Sequence, residues 1–105
     1  MKQREVVWAR LALRELTDVI DHIFRETGFR RTAERYRDRV IAAAERIGWA
    51  AEGGRLRNDI SPGLRMWVVE RRLIVFYRIV GERVRIVRLV DGRRDYVRLL
   101  KSETP

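Results

Sequence analysis

The chain has 105 residues, 46 % of them hydrophobic, and a formal net charge of +9, which is the size and composition of one folded domain. It contains no cysteine, so disulfides, thiolate zinc sites and cysteine nucleophiles are excluded. No apolar run approaches the roughly 20 residues of a membrane span and the N-terminus lacks a signal-peptide core, so we expect a cytoplasmic protein without membrane contact.

The positive charge is concentrated in the second half of the chain. Residues 1–54 carry 11 basic and 9 acidic side chains, whereas residues 55–105 carry 13 basic and 6 acidic ones. All the basic residues are arginine except Lys2 and Lys101. This asymmetry is compatible with mere composition bias and solubility, or with an anionic partner, which would be a nucleic acid or a negatively charged protein segment.

The first half of the sequence predicts a strand followed by two helices. Residues 5–8 form a short apolar strand, and a helical period begins at Leu11. Gly28 is placed to end this first helix, and a second helix starts at Thr32 or the arginines before it and ends at Gly48. Two helices joined by a tight turn form an antiparallel helical hairpin.

The second half predicts a series of short strands. Residues 55–60 can form an edge strand, and a turn at Ser61-Pro62-Gly63 leads to further strands over residues 64–70, 73–80 and 84–90. The strand over residues 73–80 is apolar on both faces except at Arg78, so it should lie centrally. The expected fold is α+β, with an N-terminal strand and a helical hairpin packed on one face of a three- to four-stranded antiparallel sheet. We expect one domain over residues 1–105, with a flexible tail over residues 99–105.

The strand connections also suggest a register. If the connections at residues 71–72 and 81–82 are each two residues long, Arg65 lies opposite Arg78, and Arg78 lies opposite Arg85. The same register puts three large apolar side chains on one face: Trp67, Phe76 and Val87. Like charges in one cross-strand row repel unless they meet an anion, so either the connections are longer or the row is a binding ridge.

Five short motifs in a fixed order resemble the RelE/ParE superfamily of type II toxins, on its ParE side. They are Trp8-Ala9-Arg10, Gly54-Arg55-Leu56-Arg57, Pro62-Gly63-Leu64-Arg65, Phe76-Tyr77-Arg78 and Gly92-Arg93-Arg94-Asp95. The chain departs from the pattern at Ala9-Arg10, where relatives have Ser-Pro, and at Asp91, where many have histidine.

The resemblance implies a toxin that arrests growth and is neutralised by a cognate antitoxin with an acidic, wrapping C-terminal segment. ParE-like members inhibit DNA gyrase by protein contact. On this model the candidate target-binding residues are Arg65, Arg78, Arg88, Arg93, Arg94 and Asp95. The candidate antitoxin-binding residues are Leu13, Arg14, Leu16, Asp18, Arg25 and Trp67.

Two other functions stay open. RelE-like members cleave messenger RNA on the ribosome, and in that case the catalytic residues would be Arg65, Arg78, Arg93, Arg94 and Tyr96. The comparable stretch Leu73-Ile74-Val75 is wholly apolar, however, and arginine is a poor general base because it stays protonated. A non-toxic basic binding domain would instead place bases on three aromatic side chains: Trp67, Phe76 and Tyr77. We favour an inhibitor that acts by binding, without an enzymatic reaction, a cofactor, a metal or direct nucleic-acid contact.

Overall fold

A five-stranded sheet with helices on both faces forms the core of the computed structural model, which describes residues 2–102. In chain order the elements are β1 (Glu5–Trp8), α1 (Arg10–Thr27), α2 (Arg30–Trp49), a 3-10 turn (Ala51–Gly53), β2 (Arg55–Leu56), β3 (Arg65–Val69), β4 (Leu73–Val80), β5 (Arg83–Asp91) and α3 (Tyr96–Ser102). The predicted α+β class is confirmed.

The sheet has the strand order β1-β5-β4-β3-β2, so β4 is the central strand as predicted. Neighbouring strands are antiparallel except β1 and β5, which run parallel with Val6 beside Val84. The N-terminal strand is therefore part of the sheet. The predicted edge strand over residues 55–60 is shorter than expected, because only Arg55 and Leu56 pair with β3.

The helical hairpin packs on one face of the sheet. Gly28 ends α1 as predicted, with φ at 73° and its N–H donating to the Phe24 carbonyl at 2.8 Å. The helices bury small residues such as Ala12 and Ala44 against larger sheet residues such as Val75 and Ile86. No side chain caps α1 at Ala9, where the family pattern has Ser-Pro.

A second apolar cluster covers the other sheet face, which the predicted fold left uncovered. Helix α3 and the loop before β3 pack over β4 there, and the buried members are Ile60, Leu64, Ile74, Phe76, Val90 and Leu100. This cluster explains why β4 is apolar on both of its faces. Of the tail expected over residues 99–105, residues 99–102 end α3 and include buried Leu100, while residues 103–105 lie outside the described residues.

The predicted register of β4 against β5 is right from Tyr77 onward, but a register shift places Phe76 opposite Arg88 instead of Val87. The predicted register of β3 against β4 is wrong. Arg78 does lie opposite Arg85, but Arg65 lies opposite Tyr77. The β3–β4 connection has three residues, with positive φ at Glu70 and Arg71, rather than the two that were assumed. A shift of one residue moves side chains to the opposite face, so Trp67 packs toward the hairpin while Phe76 packs toward α3.

An ion pair with little solvent exposure joins α1 to β5. The Glu15 carboxylate accepts hydrogen bonds from Arg88 Nη2 at 2.8 Å and Nε at 3.0 Å, and from the Leu89 backbone N–H at 2.9 Å. The side chains of Arg88 and Glu15 are only 8 % and 15 % exposed. Because neither charge is well solvated, removing one partner leaves the other with a desolvation penalty.

We therefore expect Glu15→Gln to lower the free energy of unfolding by about 3–5 kcal/mol. Urea denaturation measures the loss. Glu26→Gln, at an exposed position of the same helix, should change stability by less than about 0.5 kcal/mol. Equal stability of the two variants would show that the pair does not hold α1 in place.

Candidate protein-interaction surfaces

Two of the predicted target-binding arginines are engaged in internal hydrogen bonds on opposite faces of the sheet. Arg65 Nη1 donates to the carbonyls of Glu52 at 3.0 Å and Gly54 at 2.9 Å. Arg78 donates through Nη1 to the Pro62 carbonyl and through Nη2 to Ser61 Oγ at 2.6 Å. Arg88, paired with Glu15, is a third internal group. These three side chains hold loops and a helix on the sheet.

A close contact between Tyr77 and Gly54 links two of the sequence motifs in the folded protein. The Tyr77 hydroxyl is buried and donates to the Ala51 carbonyl at 2.7 Å. A Cβ atom at Gly54 would lie 2.0 Å from that hydroxyl oxygen, so only glycine fits there. The Gly54 motif and the Phe76-Tyr77-Arg78 motif therefore form one packing unit.

Arg57 fastens the loop before β3 to α3. Its guanidinium donates to both carboxylate oxygens of Asp59, at 2.9 and 2.8 Å, and lies 5.6 Å from the centre of the Tyr96 ring. The Tyr96 hydroxyl accepts a further hydrogen bond from Arg57 at 3.4 Å, and the ring packs against Phe76. Hydrogen bonding to Arg57 lowers the pKa of Asp59 to about 2. Arg57 belongs to the motif Gly54-Arg55-Leu56-Arg57, but nothing in the sequence signals this contact.

An exposed loop between β5 and α3 carries the remaining three target candidates, Arg93, Arg94 and Asp95. Arg93 donates to Asp91 through Nη2 at 3.0 Å and through its backbone N–H at 2.9 Å, and these bonds lower the pKa of the Asp91 carboxyl. Asp95 accepts the Arg98 N–H at 3.3 Å and so caps α3. Within residues 2–102, the Arg94 side chain forms no ion pair.

The structure does not bring together the residues reserved for a ribonuclease. Arg65 and Arg78 face opposite sides of the sheet, and the Tyr96 hydroxyl is bonded to Arg57. Of the three aromatic residues considered for base stacking, Phe76 and Tyr77 are fully buried and only Trp67 is partly exposed.

The predicted antitoxin-binding residues lie in two places. Leu13, Arg14, Asp18 and Arg25 are exposed along α1, whereas Leu16 is buried in the core. Trp67 lies in a groove of 320 Å³ between α2 and β3, and other residues lining it include Arg39, Ala42, Arg46 and Val68. Glu70 also lines the groove and pairs with Arg39, so the groove combines apolar side chains with two cations and one carboxylate.

Beside this groove, the outer edge of β3 is partly open. Strand β2 pairs with β3 only at Arg65 and Met66, so Val68 has no strand neighbour on that side within residues 2–102. The Val68 side chain is 51 % exposed. A second hollow of 350 Å³ follows the same edge past Arg55 and Met66. An open, apolar strand edge flanked by arginines suits an extended peptide.

Within residues 2–102, no helix is both long and apolar enough to cross a membrane. The same part of the chain contains no cluster of three metal-ligating side chains.

Comparisons with known proteins agree with the motif resemblance. Residues 6–96 match the family model described as the ParE toxin of the type II toxin–antitoxin system parDE. Toxin ParE3 of Caulobacter vibrioides is 32 % identical over 94 residues, which cover 87 % of this chain and 93 % of that protein. A solved chain of the chromosomal ParDE TA system from P. aeruginosa has the same fold, with a TM-score of 0.74 at 22 % identity over 85 % of this chain and 96 % of the solved one.

The Arg57–Asp59 contact predicts a measurable titration. Because the pKa of Asp59 is lowered to about 2, its contribution to stability is complete above pH 4 and is lost as the pH falls toward 2. Carboxyl carbon shifts followed by NMR should give a pKa of about 2 in the wild type and an ordinary value near 4 in Arg57→Gln. Equal values in the two proteins would contradict the contact.

Proposed function

Because the chain belongs to the ParE toxin family of type II toxin–antitoxin systems, we propose that it is a growth-arresting toxin that inhibits DNA gyrase by protein contact and is neutralised by a cognate antitoxin. The observation that carries this proposal is the distribution of the arginines. Arg65, Arg78 and Arg88 in the strands hold the fold together, whereas Arg93 and Arg94 in the β5–α3 loop face solvent. Such an arrangement supports an inhibitor that works by binding.

A ribonuclease would need a different geometry. Cleavage at a ribose requires a base, an acid and cations within reach of one phosphate. The candidates for these roles are divided between two sheet faces, and Tyr96 is committed to Arg57 and Phe76. The geometry therefore favours the binding function over RNA cleavage.

We place the antitoxin on the open edge of β3 and the groove beside it. An extended segment can pair with the strand beyond Met66 and set an apolar side chain against Trp67 and Val68. Arg46 and Arg55 at the rim favour a segment with acidic residues. The exposed face of α1 offers a second contact for a segment that wraps around the hairpin.

We place the gyrase contact at the β5–α3 loop. Arg93 and Arg94 are exposed, and the backbone of the loop is held by the Asp91 carboxylate and by the cap at Asp95. A loop ordered in advance loses little conformational freedom on binding. Arginine is also a frequent hot-spot residue in protein interfaces.

The purified chain without antitoxin should inhibit gyrase supercoiling, and Arg93→Glu with Arg94→Glu should weaken this inhibition by about tenfold or more. A control with the same change in charge is Arg10→Glu with Arg85→Glu, at two exposed positions elsewhere. Unchanged supercoiling at an excess of wild-type protein would contradict the gyrase target. Equal loss in both double variants would indicate a general effect of charge.

Val68→Glu should weaken antitoxin binding by about tenfold or more, because it replaces an apolar contact by a charge that repels an acidic segment. Growth arrest by the free variant should persist. Val80→Glu, at a strand position of similar exposure, should bind antitoxin as the wild type does. Calorimetric titration of each variant with the antitoxin measures the affinity. An unchanged affinity for Val68→Glu would mean that the antitoxin binds elsewhere.

A further inference from the structure

We propose that the tip of the helical hairpin, formed by Phe24, Gly28, Phe29, Arg30 and Arg31, is a second contact with the toxin's target, and that Phe29 enters an apolar pocket rimmed by carboxylates on that protein. The inference rests on the proposed function, since it presumes a protein target. It adds a surface that lies in none of the motifs from which the family resemblance was stated.

The hairpin tip exposes aromatic surface that the fold does not use. Phe29 is 68 % exposed and Phe24 is 41 % exposed, on either side of the turn between α1 and α2. Neither side chain belongs to the two apolar clusters of the core. Exposed aromatic residues that the core does not use commonly mark a protein-interaction site.

The backbone of the tip is held firmly. Gly28 adopts the left-handed conformation and donates to the Phe24 carbonyl. The Thr27 hydroxyl donates to the Ile23 carbonyl at 2.8 Å and accepts the Phe29 N–H at 3.2 Å. Phe29 is therefore presented in one backbone position, which reduces the entropy lost when its ring is buried by a partner.

The sequence at the start of α2 is poor for helix stability. Phe29 occupies the N-cap position and makes no side-chain capping bond, whereas Ser, Thr, Asp or Asn would. Arg30 and Arg31 then place two positive charges at the end of the helix dipole that favours negative ones, and the first turn has no acidic residue. Residues that oppose local stability at an exposed turn are expected where function requires them.

The hairpin tip lies at the same end of the molecule as Arg93 and Arg94. Arg39 of α2 pairs at 2.8 Å with Glu70, which lies in the β3–β4 connection. Strand β5 ends at Asp91, opposite Leu73 at this same end of the sheet. Phe29 precedes Arg39 by ten residues, which is about 15 Å along a helix axis. The tip therefore extends past the end of the sheet at which the β5–α3 loop lies.

The charges around the aromatic rings define the partner. Within residues 2–102, Arg30 and Arg31 form no ion pair, so their guanidinium groups are available to carboxylates. Glu26 and Glu34 are close in sequence and would repel a phosphate backbone. Cations mixed with acids around exposed phenyl rings suit an acidic protein surface with an apolar pocket better than a nucleic acid.

The test uses Phe29→Asp, which removes the ring and supplies a good N-cap. The melting temperature should rise by about 4 °C. Gyrase inhibition should fall by about tenfold or more, and growth arrest in cells should be lost. Antitoxin affinity should stay within about twofold of the wild type. A role limited to folding cannot give a more stable protein with less activity.

Trp49→Asp is the matched control, because Trp49 is 51 % exposed at the opposite end of the same helix. It should inhibit gyrase and arrest growth as the wild type does. Full inhibition by Phe29→Asp would overturn the inference and leave the gyrase proposal intact. Loss of antitoxin affinity in Phe29→Asp, or binding of a DNA duplex alone that this change abolishes, would also overturn it.

Growth arrest separates this inference from the gyrase proposal. If the wild type arrests growth without affecting supercoiling, gyrase is not the target, and the growth phenotype of Phe29→Asp alone decides the inference. A wild type that arrests no growth overturns both.

Discussion

The Glu15 carboxylate accepts hydrogen bonds from Arg88 and from the Leu89 backbone, and the position of the hairpin depends on this contact. Apolar packing between α1 and the sheet is not directional, whereas an ion pair of low exposure allows little displacement. Because α1 is fixed against β5, α2 follows it across the same sheet face. The tip of the hairpin therefore lies beyond the end of the sheet at which β5 finishes with Asp91.

Four arginines in the second half of the chain hold the fold together, one of which is Arg88 in its pair with Glu15. Arg65 and Arg78 fasten loops to β3 and β4, and Arg57 joins the loop before β3 to α3. The guanidinium carries five N–H donors, so Arg65 satisfies two loop carbonyls, and Arg78 satisfies a carbonyl and a hydroxyl. The family motifs that contain Arg57, Arg65 and Arg78 therefore reflect the packing of the fold more than target recognition. What is left for recognition is the β5–α3 loop, the open β3 edge and the hairpin tip.

The sequence predicted features that depend on local periodicity, such as the bounds of β4 over residues 73–80 and the end of α1 at Gly28. It failed where the backbone departs from common residue preferences. Positive φ at Glu70 and Arg71 has no signal in residue type, so the β3–β4 connection was counted one residue short. A register irregularity at Phe76/Tyr77 was equally invisible. The roles of Arg65 and Arg88 needed the register and the helix position, which no single segment contains.

On the proposed function, antitoxin and target bind mainly to different surfaces of this small fold. Hydrogen–deuterium exchange tests it directly, measured by mass spectrometry on the free protein, on its antitoxin complex and on its complex with gyrase and DNA. We predict that gyrase slows exchange over residues 24–31 and 91–95, whereas the antitoxin slows exchange over residues 66–69. Protection of residues 66–69 by gyrase, with no change at the hairpin tip or the β5–α3 loop, would contradict the account.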